Sequence, residues 1–152
     1  MDLLIILDAS GSLYDQGGNV SWPTLKNFTK ALIQQGTNVG RLDRVALIQF
    51  SNVAHLRFNF SRYSSLNEIL AAVDALQFIG LSTNTSQALD LGRRVFSESG
   101  YGSRANAKHI MLLITDLWVD PEPTWKSQYR ASVSQLQQIS DIRRFCEYNV
   151  YR

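Results

Sequence analysis

Five apolar residues in succession, Leu3-Leu4-Ile5-Ile6-Leu7, run directly into Asp8. A strand that is apolar at every position has no face for water, so it belongs in the middle of a sheet covered on both sides, as the strands of parallel α/β sheets are. The run is far shorter than the ~20 residues needed to cross a bilayer, and so is Ile110 to Ile114. No membrane span is therefore expected. A chain of 152 residues with 45% hydrophobic content suits one domain.

Further strand-length runs alternate with stretches of helical period, which is the order of an α/β domain with a mostly parallel sheet and helices on both faces. After a Gly-rich loop reaching Asn19, a helix is expected from Ser21 as N-cap, with Pro23 in its first turn. Its inward stripe is Trp22, Leu25, Phe28, Leu32 and Ile33, and Gly36 suits its end. Val45 to Phe50 reads as a second strand. Beyond the Ser51-Asn52 turn, Ala54, Leu56, Phe58 and Phe60 alternate with His55, Arg57 and Asn59, the pattern of a half-exposed strand at an antiparallel edge. Ser65 and Glu68 have capping-box spacing ahead of Leu66, Ile69, Leu70, Val73 and Leu76, which predicts a second helix. A third starts near Thr85, with Ala88, Leu91, Val95 and Phe96 inward and Thr83 or Thr85 available as N-cap. His109 to Ile114 forms the next strand and ends at Thr115-Asp116.

Residues able to carry chemistry gather where strands end. Asp8-Ala9-Ser10-Gly11-Ser12 follows the first strand, Thr83 precedes the third helix, and Asp116 closes the last strand. In an open parallel sheet the ligand crevice lies outside the carboxyl ends of the strands, and Asp8 and Asp116 meet there if their strands are neighbours. Two carboxylates and three hydroxyls, with no His or Cys among them, form an all-oxygen set suited to a hard cation such as Mg²⁺ or Mn²⁺ rather than Zn²⁺ or copper. Positions i, i+2 and i+4 of a tight loop can turn three oxygens toward one point, and Gly11 permits the close backbone path. Mg²⁺ gives up water reluctantly, so a site with few direct protein oxygens keeps an exchangeable position that an outside carboxylate can fill. Taken singly, these residues have plainer roles as turn and cap residues; only their combination points to a site.

The three segments Asp8-x-Ser10-x-Ser12, Gly80-Leu81-Ser82-Thr83-Asn84-Thr85 and Leu113-Ile114-Thr115-Asp116 together resemble the metal-ion-dependent adhesion site of von Willebrand factor A domains. Arg44-Val45-Ala46-Leu47-Ile48-Gln49-Phe50-Ser51 and Tyr63-Ser64-Ser65 also resemble that family, especially its extracellular-matrix and collagen-associated members. The resemblance implies a Rossmann-like α/β fold and one bound Mg²⁺ or Mn²⁺. It implies that Ser10, Ser12 and Thr83 contact the metal most directly, with Asp8 and Asp116 acting directly or through water. A protein partner, such as collagen or another matrix protein, would then supply an acidic residue to the open position. It implies an extracellular location, although Met1-Asp2 lead straight into the first strand without a secretory leader.

Departures from the family pattern are specific. Leu117 stands where Gly usually follows the aspartate, and Leu81-Ser82 replace the usual Gly pair before the threonine; neither change removes a ligand. Residues 1–117 read as the domain core. The segment 118–152 diverges, with Pro121 and Pro123 in a loop and Tyr129, Val133, Leu136 and Ile139 suggesting one helix, so the last two strand-helix units of the family are expected to be missing. That would leave the strand ending at Ile114 with an unpaired edge, and self-association is the expected consequence.

A net charge of +2, from 15 basic and 13 acidic residues, offers no footprint for nucleic acid. The lone Cys146 allows neither an internal disulfide nor a cysteine zinc site. His55 and His109 read as structural, and Trp22, Trp118 and Trp125 as core or rim aromatics. Four Asn-x-Ser/Thr sequons, at Asn19, Asn27, Asn59 and Asn84, matter only for a chain that enters the secretory pathway. No nucleophile elbow, phosphate loop or dinucleotide fingerprint is present, so a non-enzymatic binding domain is expected. Two other readings stand beside it: a Mg²⁺-dependent hydrolase using Asp8 and Asp116, and an incomplete domain that keeps the motif without independent function.

Overall fold

The computed structural model describes residues 1–11 and 22–115. The first apolar run forms β1 (Asp2–Asp8), buried at every position. It pairs in parallel with β2 (Arg44–Phe50) on one side and β4 (His109–Ile114) on the other. Beyond β2 lies β3 (Ala54–Phe58), antiparallel to it, and the sheet order is β3-β2-β1-β4. Both parallel connections carry a helix, as parallel crossovers require. The alternating sequence of β3 is the antiparallel edge it was expected to be, with His55 and Arg57 exposed and Phe58 buried.

Successive β1 side chains point to opposite faces of the sheet, and each face has its own core. Leu3, Ile5 and Leu7 pack with Trp22, Leu25 and Ile33 of α1 (Trp22–Gly36) and with Ile69 and Val73 of α2 (Leu66–Asp74). Leu4, Ile6 and Met111 pack with Ala88, Leu89, Val95 and Phe96 of α3 (Thr85–Ser97). Gly92 lets α3 approach closely, since a Cβ there would lie 2.8 Å from Met111 Cε and 3.0 Å from Ile6 Cδ1.

The inward stripe of α1 differs from the expected one at Phe28, and Leu32 is only partly buried at its edge. Phe28 is 36% exposed, and Thr29 is buried instead, donating its hydroxyl to the Leu25 carbonyl at 2.9 Å. At about 100° per residue, Trp22, Leu25, Thr29 and Ile33 lie within one arc, whereas Phe28 falls well outside it. Apolar character alone misplaced Phe28; the angular position decides. In α2 the capping box forms as its spacing predicts, with Ser65 Oγ accepting from Glu68 N and Glu68 Oε2 accepting from Ser65 N. In α3 the cap is Asn84, whose Oδ1 accepts from Gln87 N at 3.1 Å, rather than Thr83 or Thr85.

His109 and the first tryptophan serve the fold, while His55 stays exposed on β3. His109 stacks on Phe96 with ring centroids 4.7 Å apart, and its Nε2 lies 2.9 Å from the Arg104 carbonyl. Trp22 is buried and donates Nε1–H to the Leu76 carbonyl at 3.1 Å. At the amino end of the sheet the buried Asp2 carboxylate receives Arg104 Nε at 2.9 Å and Arg104 N at 2.7 Å, a clamp that the sequence patterns did not single out. The segment 118–152, including the expected C-terminal helix, lies outside the described residues, as do Ser12, Ser21, Cys146, Trp118 and Trp125.

Candidate metal centre

The expected site lies at the carboxyl ends of β1, β2 and β4, and backbone hydrogen bonds tie its loops together. Ala9 N donates to the Phe50 carbonyl at 2.8 Å, which joins the end of β1 to that of β2. The loop after β1 then meets the loop before α3 through two bonds: Gly80 N to the Ala9 carbonyl at 2.9 Å and Gly11 N to the Leu81 carbonyl at 2.8 Å. Asn84 N donates to the Ser51 carbonyl at 2.7 Å, anchoring the start of α3 to the end of β2. Asp8-Ala9-Ser10 and Thr83, 73 or more residues apart in the chain, thus belong to one hydrogen-bonded crest.

Glycine chemistry permits this close approach. A Cβ on Gly11 would sit 3.2 Å from the Leu81 carbonyl oxygen. Gly80 has φ +75° and Leu81 has φ +69°, so the chain passes through two successive left-handed residues. Glycine adopts that conformation freely, whereas a residue with a Cβ is strained there by roughly 1–2 kcal/mol. Leu81 therefore keeps the backbone path expected of a Gly-rich loop, with its side chain 65% exposed.

Asp8 is buried and oriented from two directions. Ser10 N donates to Oδ1 at 2.8 Å, and Thr115 Oγ1 donates to Oδ2 at 2.6 Å. The second bond follows from register: Leu7 pairs with Ile114, which brings Asp8 level with Thr115. Thr115 belongs to the Leu113-Ile114-Thr115-Asp116 motif, but nothing local in the sequence assigns it a role. Its signal is its place one residue beyond a strand paired to β1, which becomes visible only once the pairing is known. Hydrogen bonds of this kind hold a carboxylate in a fixed direction, as outer-sphere donors do for metal ligands.

Of the five expected site residues, Asp8 and Ser10 are buried at the end of β1 and Thr83 is half-buried ahead of α3; Ser12 and Asp116 lie outside the described residues. Among the described residues no three His, Cys, Asp or Glu side chains gather as a metal-binding group, so the donors that the crest offers are one carboxylate and hydroxyls. That donor set fits a hard, oxygen-seeking divalent cation. A groove lined by Arg57, Phe58, Tyr63 and Leu76 contains none of the site residues.

An open α/β sheet with three parallel strands, an antiparallel edge and a carboxylate-hydroxyl crest at the strand ends defines a Rossmann-like domain. The family model of the von Willebrand factor type A domain matches residues 2–146, and the chain belongs to that family. The match runs past Asp116, where the resemblance of the motifs stops.

Among its relatives, the human collagen alpha-6(VI) chain is 30% identical over 115 residues, covering 76% of this chain and 5% of that protein. Bovine integrin alpha-2 is 29% identical over 118 residues, covering 76% of this chain and 10% of that protein. The chain thus spans a small fraction of the relatives it matches. In fold it is similar to proximal thread matrix protein 1 from the mussel byssus, with a TM-score of 0.75 at 20% identity over 95% of this chain and 36% of that one. A second structure of that mussel protein, with a TM-score of 0.72 at 19% identity, has a zinc-occupied metal-ion-dependent adhesion site. Among the described residues no helix is long and apolar enough to cross a membrane.

Proposed function

We propose that this domain binds a divalent cation, Mg²⁺ or Mn²⁺, through the hydroxyls of Ser10, Ser12 and Thr83 with Asp8 and Asp116, and through the cation an acidic residue of an extracellular matrix protein such as collagen. The observation that carries this reading is the crest itself, where a buried, doubly oriented Asp8 stands in a hydrogen-bonded assembly with the loop that bears Thr83. A buried carboxylate held by Ser10 N and Thr115 Oγ1 is a ready oxygen ligand, and a bound cation would favour its ionised form. The cation's chemistry here would be to accept a partner carboxylate as an additional oxygen ligand. The names of the relatives, collagen VI chains and an integrin, support a matrix setting and a binding rather than a catalytic role. The zinc reported at the corresponding motif of the mussel protein supports divalent-cation binding in general.

Thermal unfolding with and without cation tests the site. Mg²⁺ or Mn²⁺ at a hundredfold excess over Kd is expected to add about 2.7 kcal/mol of stability. Asp8→Asn, which keeps the side-chain shape, and Thr83→Val should each remove most of that gain, whatever they do to the metal-free protein. Equal gains in wild type and both variants would exclude the proposed ligands. Binding to immobilised collagen should vanish in EDTA, and the chain should not turn over phosphate esters. Metal-dependent ester hydrolysis lost in Asp8→Asn would establish the hydrolase instead.

A further inference from the structure

Three of the four sequons fall within the described residues, and the fold treats them differently. Asn84 caps α3, its Oδ1 accepting from Gln87 N and from Ser86 Oγ at 3.1 Å each, so both polar residues of that sequon are engaged beside Thr83. Asn59 is half-buried between Phe58 and Phe60; its Oδ1 accepts from Ser61 N at 3.0 Å, and Ser61 packs against Gly102. Asn27 stands apart. It is exposed on α1, and its amide takes part in no hydrogen bond among the described residues. On a helix of about 100° per residue it lies roughly opposite the buried arc of Trp22, Leu25, Thr29 and Ile33.

We propose that Asn27 is an N-glycosylation site and that the fold is built to carry a glycan there, on the solvent face of α1. The inference rests on the extracellular part of the proposed function, since the donor, a polyisoprenyl-diphosphate-linked oligosaccharide, is met only in the secretory pathway. Asn27 Nδ2 attacks C1 of the first sugar; the N–C1 bond forms, the bond from C1 to the diphosphate oxygen breaks, and one amide proton is lost as the diphosphate leaves. No electrons change hands.

The structure also sets the timing. Recognition of the sequon uses Asn27 and the Thr29 hydroxyl together, but in α1 residues two apart do not share a face. The Thr29 hydroxyl, moreover, is buried and donated to Leu25. Modification therefore precedes the folding of α1, after which the hydroxyl is withdrawn into the core and the glycan is left outside, next to the partly exposed Phe28.

The test is to secrete the full chain from eukaryotic cells behind a cleavable leader, so that entry into the pathway is imposed rather than assumed. Peptide mapping after enzymatic deglycosylation in heavy-oxygen water should find Asn27 converted to labelled Asp in most of the secreted protein. Asn27→Gln should be secreted as well, with the corresponding glycan mass lost. The purified folded chain, offered the transferase and donor in vitro, should remain unmodified at Asn27. An unmodified Asn27 in the secreted, folded wild type would overturn the proposal, and so would efficient modification of the already folded chain. Finding the natural protein inside cells would instead count against the extracellular reading, which keeps the two failures distinct.

Discussion

At the scale of single residues, local conformation and pairing decide more than residue type does. Leu81 holds a left-handed backbone with its side chain mostly in solvent. Leu81→Gly is therefore expected to relieve strain and lose little packing; against the entropy that glycine adds to the unfolded chain, the net gain should be up to about 1 kcal/mol, read by chemical denaturation. Glu68 offers a pH test. The Ser65 hydroxyl, together with the Ser65 and Ser64 backbone N–H groups, holds its carboxyl below the usual glutamate range. A carboxyl whose folded pKa is depressed contributes stability above its unfolded pKa and loses it as the pH falls through the folded value. The stability difference between wild type and Glu68→Gln should accordingly be present at neutral pH and disappear in acid; a difference that stays constant across that range would show that the capping-box carboxylate contributes nothing.

At the scale of elements, contact between α3 and β1 depends on what is absent. The Cβ that Gly92 lacks would collide with Met111, Ile6 and Leu4, whose side chains form the floor under the helix. Gly92→Val should therefore cost about 2–3 kcal/mol by overpacking, even though glycine is itself a poor helix former. Urea unfolding checks this, and a variant as stable as wild type would mean that α3 lifts off the sheet without penalty. The same geometry separates what local sequence specifies in the helices from what packing decides. The capping box of α2 is a local signal and could be read directly, whereas the burial of Thr29 in place of Phe28 in α1, and of Leu89 with Leu91 only partly buried in α3, depends on where the sheet lies relative to each helix.

At the scale of the whole molecule, β1 is bonded on both sides while β3 is a five-residue edge. Amide exchange should therefore be slowest through Leu4 to Leu7 and fastest in β3 at its outer edge. The outer edge of β4 carries no partner strand among the described residues, and Ile110, Leu112 and Leu113 are only partly buried. An edge left open there would favour self-association of the 152-residue chain. Light scattering reads it directly; a monodisperse monomer with slow exchange through Ile110 to Ile114 would show that another part of the chain covers that edge.

The α/β class, the central place of the Leu3–Leu7 strand, the antiparallel edge and the Asp8, Ser10 and Thr83 motifs were legible from residue order, because hydrophobic period and turn chemistry are written within a few neighbouring positions. The order β3-β2-β1-β4, the alignment of Asp8 with Thr115, the stitching of Gly11 to Leu81 and the left-handed backbone of Leu81 were decided by tertiary structure. Each depends on which strands become neighbours and in what register, and those are choices made by packing between residues far apart in the chain.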